Sequence, residues 1–147
     1  MTLHLIKLCV GAETIEDLED WFASGRADWD VPGGTAAVAH LTRQIPKRSE
    51  ELLDGGSLYW VIKGRILVRQ RLIAIEPAKD EEGRPRCALV MERSLVLTRP
   101  RAHRPFQGWR YLEAARAPAD VGPYKAEAGQ GNAGLKAELL ELGLIRD

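Results

Sequence analysis

Five consecutive apolar residues, Leu58-Tyr59-Trp60-Val61-Ile62, constrain the fold more than any other stretch of this chain. A strand with one face in water alternates apolar and polar residues, and this run does not. Both of its faces must be covered, so it belongs inside a sheet with other material packed above and below. Gly64 marks a tight connection to a following strand over 65–76. The apolar pattern predicts further strands over 3–10, 36–45, 86–98 and 109–112. The one over 86–98 is long enough to hold a bulge near Glu92 and Arg93.

Helices are signalled by their ends. Thr14 is an N-cap with Asp17 as its capping-box partner. Ile15, Leu18, Trp21 and Phe22 then share one face, and Gly25 closes the helix. Residues 49–53 read as a short helical turn. Asn132 caps a final helix with Leu135, Leu139 and Leu142 on one face, followed by Gly143. Residues 24–35 and 77–85 read as loops, and Pro100 and Pro105 forbid regular structure over 99–108. Residues 117–131, rich in Ala, Gly and Pro, read as a mobile segment.

This order, with strands adjacent in sequence through the middle, predicts an α+β fold. The expected architecture is a mostly antiparallel sheet or a partly closed small β-barrel, with an N-terminal and a C-terminal helix. A length of 147 residues suits one domain over 1–147. With 45% hydrophobic and 29% charged residues, the composition is that of a globular chain. No apolar run approaches the roughly 20 residues of a membrane span, and the start lacks the marks of a signal peptide. Cytoplasm is the expected location, with Cys9 and Cys87 as reduced, buried thiols. His4, His40, His103 and the two cysteines show no metal-ligand spacing. Neither a dinucleotide fingerprint nor a Gly-x-Ser-x-Gly elbow occurs. No cofactor and no metal are expected.

Charge is the feature that points to function. Lys+Arg and Asp+Glu both number 21, yet they are segregated. Residues 40–72 carry a net +4 and residues 84–116 a net +6, against −5, −3 and −2 for the segments around them. Two basic blocks on one face would steer an anionic partner to it. Along the strand 65–76, strict alternation puts Arg65, Arg69 and Arg71 on one face, a ladder of guanidinium forks suited to phosphates. Residues 99–111 hold Arg99, Arg101, Arg104 and Arg110 with His103, Phe106, Trp109 and Tyr111, and no acid. Aromatics there either anchor the loop or stack on a flat ligand such as a base. Thr42, Arg43, Lys47 and Arg48 form a smaller basic cluster.

Several stretches also carry a resemblance: residues 3–11, residues 51–64, the pair Arg69-Gln70, and residues 104–112. They resemble an uncharacterised bacterial family, a mainly alphaproteobacterial domain of unknown function of about 150 residues. That resemblance implies a single cytoplasmic domain and supplies no activity. A strand ending in Lys63-Gly64, followed by one bearing Arg69, is weakly similar to small PUA and ASCH barrels. Those barrels bind RNA or modified bases. The Gly-x-Lys and Glu-x-Arg pattern of the ASCH group is not matched, with Val68 in the place of the glutamate.

The leading expectation is a module binding RNA or another phosphate-bearing ligand. Arg65, Arg69, Arg71, Arg101, Arg104 and Arg110 would contact the anion, and Phe106 and Trp109 would stack. One alternative is a small enzyme on a phosphorylated or nucleotide-like substrate, with His103 as a neutral base. Another is a protein-interaction domain or homodimer. The sequence is silent on oligomeric state.

Overall fold

The computed structural model describes residues 2–33 and 36–124. In chain order the elements are β1 (Leu3–Leu8), α1 (Ile15–Ala23), β2 (Ala37–Thr42), α2 (Ser49–Leu52), β3 (Ser57–Ile62), β4 (Arg65–Lys79), β5 (Pro85–Glu92), β6 (Val96–Ala102), β7 (Trp109–Glu113) and β8 (Asp120–Pro123). A single 3₁₀ turn, Ala114–Arg116, follows β7. The expected C-terminal helix lies outside the described residues. Among the described residues, no helix is long and apolar enough to cross a membrane.

The strands form one eight-stranded sheet with the path β2-β5-β4-β3-β1-β7. Every one of the six residues of β3 is buried, as its unbroken apolar run requires. Lys63 and Gly64, both with positive φ (51° and 79°), make the two-residue turn that joins β3 to β4. The 15-residue β4 is the spine. Its first half pairs with β3 on one side and β6 on the other. Its second half pairs with β5, so β5 and β6 lie end to end along it. The strand expected over 86–98 is thus two strands, separated at residues 93–95.

The sheet is mostly antiparallel, as expected, with β1 beside β3 as a parallel pair. Among the described residues it does not close into a barrel: β2 and β7 end the path and do not pair with each other. One expectation is corrected, since Pro100 does not forbid structure and β6 runs through it to Ala102. The missing N–H of Pro100 falls where the ladder to β4 shifts register, after the pairing with β8 has stopped at Thr98. Pro77 is accommodated in β4 for a related reason, because β3 stops at Arg71 and leaves that side of the strand as an edge.

Cross-strand partners share a face, and the registers define two. Leu5, Leu58, Trp60, Val68 and Gln70 lie on one, together with Leu72, Leu89, Met91 and Val38. The apolar side of α1, with Ile15, Leu18 and Phe22, packs into this cluster. Thr14 and Asp17 form the capping box that starts the helix. Ile6, Tyr59, Val61 and Ile66 lie on the other face, with Phe106 and Ala117 packed against them. The sheet curls toward the α1 side. His40 of β2 meets Trp60 of β3 edge-on at 5.3 Å, although β5 and β4 stand between those strands in the sheet.

Candidate functional site

The expected arginine ladder does not exist as read. A β-bulge at Leu67 shifts the register of β4 against both β3 and β6. An extra residue inverts the alternation beyond it. Arg69 and Arg71, opposite Tyr59 and Ser57, therefore lie on the convex face. Arg65, opposite Ile62, lies on the concave one. Arg101, opposite Ile66, and Arg110, opposite Ile6, join Arg69 and Arg71 on the convex face.

Most of these cations are engaged. Arg69 forms a bidentate pair with Asp120 (2.8 and 2.7 Å) and donates to Ser57 Oγ at 2.9 Å. Arg71 faces Glu92 at 3.5 Å. Arg101 donates to the Arg116 carbonyl. Arg110 stacks on the Phe106 ring at 4.9 Å, and Phe106 is seated on the convex apolar cluster. Arg104 is exposed in the loop. Trp109 is turned to the concave face, where its Nε1 donates to the Gln44 carbonyl at 3.0 Å. Both aromatics of the loop therefore anchor it.

A different constellation lies where the two sheet edges approach, at a cleft of about 830 Å³. Lys7 of β1, Thr42 and Arg43 from β2 and its end, and Arg84 and Arg86 line it, with Gln107, Gly108 and Trp109 as the far wall. Asp80 is its one carboxylate, and it is already paired with Arg84 (2.8 Å) and Arg86 (3.2 Å). Next to this cleft is a pocket of about 410 Å³ lined by Cys9, Leu18, Trp21, Phe22, His40 and Trp60, among others. Its rim carries two exposed apolar side chains, Val10 and Trp21, 82% and 46% exposed. The boundary between the two parts falls between Lys7 of β1 and Cys9 just after it, and between His40 and Leu41 on β2.

Electrostatics single out the residues at that boundary. Burial holds His40 neutral, with its pKa lowered to about 4, and the Lys7 cation lowers it further. Burial likewise pushes the Cys9 thiol up to about 12. Lys7 itself is depressed below the usual lysine value by desolvation. It is 9% exposed and has no ion pair with any described residue. A second polar cluster lies on the convex face. There His4 Nδ1 accepts from the Ser57 backbone N–H at 3.0 Å, and His4 meets the Tyr59 ring edge-on. Burial, then the Arg69 charge, lowers the His4 pKa.

Sequence reasoning missed Lys7, His40, Trp60, Arg84 and Arg86 as site residues. Thr42 and Arg43, from the smaller basic cluster, and Trp109 are singled out in the sequence and reach the cleft. No local signal could have joined the others, because they come from four separate segments.

A family model described as "Protein of unknown function (DUF1489)" matches residues 5–145. No curated protein matches this chain. No solved structure matches it either.

Proposed function

The chain belongs to the DUF1489 family, and from the geometry of its cleft we propose that it binds a small phosphate-bearing ligand with a flat apolar portion, of the nucleotide-like kind. One observation carries this reading. A pocket walled by Trp21, Phe22, His40 and Trp60 adjoins a cleft lined by Lys7, Arg43, Arg84 and Arg86 with one carboxylate. Aromatic walls suit a planar group. Arginine forks suit a phosphate, whose oxygens accept paired hydrogen bonds. Arg43 has no carboxylate partner among the described residues, so it is available to an incoming anion.

Calorimetric titration of the full chain with the four nucleoside monophosphates, their nucleosides and inorganic phosphate tests this. At least one monophosphate should bind about tenfold or more tightly than its nucleoside or phosphate alone, which is about 1.4 kcal/mol. Added salt and Arg43→Ala should each weaken it. Absence of binding by all of them at low salt overturns the reading.

A second reading, RNA along the convex face, is favoured by the gathering of Arg69, Arg71, Arg101 and Arg110 there. A short single-stranded RNA whose affinity drops in an Arg104→Ala, Arg110→Ala double variant, with monophosphate binding unchanged, would select it. The cleft is the better supported site because its Arg43 meets no carboxylate among the described residues and an aromatic-walled pocket adjoins it, whereas Arg69 and Arg71 meet carboxylates and Arg101 a backbone carbonyl.

A further inference from the structure

We infer that Lys7 is the reactive amine of the cleft, condensing through Nζ with the carbonyl carbon of a phosphate-bearing aldehyde or ketone; this rests on the ligand reading above and narrows the ligand's class. Three observations converge on it. The first is position. Lys7 lies in an interior strand, in register with Trp60 of β3 and Trp109 of β7. It lines the cationic cleft, while Cys9, two residues along the same face, lines the apolar pocket. A ligand with its phosphate among Arg43, Arg84 and Arg86 and its flat group against Trp60 has its middle atoms at Lys7.

The second observation is the lack of a partner. Arg48, Arg69, Arg71, Arg84, Arg86 and Arg93 all meet carboxylates, whereas Lys7 meets none among the described residues. A mostly buried ammonium without a counter-charge is costly and has no stabilising role to explain it. The third is the neighbourhood. His40 and Cys9 are both uncharged at neutral pH, and burial lowers the Lys7 pKa more than Cys9 raises it. Desolvation favours the neutral amine, the form that attacks.

The step balances without any other reagent. The nitrogen lone pair forms a C–N bond as the carbonyl π pair moves onto oxygen, giving a carbinolamine. The C–O bond then breaks, and the two hydrogens from nitrogen leave with that oxygen as water. The product is an imine, with no change of oxidation state.

Pyridoxal 5′-phosphate is a suitable probe, because it joins an aldehyde, a flat ring and a phosphate. The full chain is incubated with it at neutral pH, reduced with borohydride and mapped by peptide mass. Lys7 should be labelled about tenfold faster than the exposed Lys47, Lys63 or Lys79, as expected of an amine that the cleft places beside the bound aldehyde. Pyridoxamine 5′-phosphate, which has no aldehyde, should bind and block the labelling. In Lys7→Arg, which has no nucleophilic amine, the adduct should vanish. The wild-type map decides the matter if that variant fails to fold. Labelling of exposed lysines with Lys7 untouched, while pyridoxamine 5′-phosphate still binds, overturns the amine's role and leaves the ligand reading standing. If neither compound engages the cleft and no monophosphate binds, both fall.

Discussion

Gly56 sits where the chain leaves α2 and passes under β1. A Cβ there would press into the carbonyl oxygens of Leu3 and Leu52, both backbone atoms of packed elements. Neither can step aside as a flexible side chain would. Gly56→Ala should therefore cost about 3 kcal/mol, at the upper end for overpacking, read from the shift of the urea unfolding midpoint at unchanged slope. A loss below half that would show that the segment yields. His40 allows a prediction in pH. Its folded pKa is about 4, against an ordinary value of 6.5. Between those values the unfolded chain binds the proton and the folded chain does not, so stability falls as pH drops from 6.5 toward 4. The His40 share of that fall is about 2–3 kcal/mol. His40→Asn should lack this component when both proteins are unfolded in urea across the range. Parallel curves for the two would place His40 in water.

Elements differ in how openly they are written in the chain. The start of α1 is legible because capping is local: Thr14 and Asp17 are three residues apart and bond each other's backbone. The bulge in β4 is not. Ile66, Leu67 and Val68 are all buried, so apolar residues on both sides of the irregularity hide the phase change. Strict alternation predicts one face for Arg65, Arg69 and Arg71, whereas the bulge puts Arg65 on the other. The short strand β8 was missed because Asp120-Val121-Gly122-Pro123 has no strand pattern of its own. It is held to β6 by register and to β4 by the Arg69–Asp120 pair. Hydrogen bonding by Arg69 lowers the Asp120 pKa. The pair's contribution is thus fully present above the ordinary carboxylate range. It is lost as pH falls through the lower folded value. Because Asp120 is half in water, Asp120→Asn should cost no more than about 1 kcal/mol. It should, however, speed amide exchange in β8 and at Arg99, whose N–H bonds the Ala119 carbonyl. Unchanged exchange there would show that backbone pairing alone holds the strand.

The molecule as a whole is a sheet bent until its ends nearly meet, with the gap bridged by side chains. Trp109 reaches the Gln44 carbonyl, and the Tyr111 hydroxyl accepts from the N–H groups of Lys47 and Arg48. Such an arrangement predicts a gradient of protection. Amides in β3 and the first half of β4, paired on both sides, should exchange only by global unfolding. Those of β7, an end strand of the path, should open locally, and a ligand in the cleft should slow them. Uniform protection across all strands would contradict this. The candidate site was hidden from the sequence for the same reason, since Lys7, His40, Arg84 and Trp109 become neighbours only once the bend is made. The bulge at Leu67 adds a last consequence. It makes position 67 the residue of β4 that the strand can spare: its loss would bring Ile66 next to Val68, opposite Val61 and Trp60, and leave the side chains on their present faces. An extra residue in the regular stretch of the strand has no such outlet, and would exchange the inside of the protein for the outside.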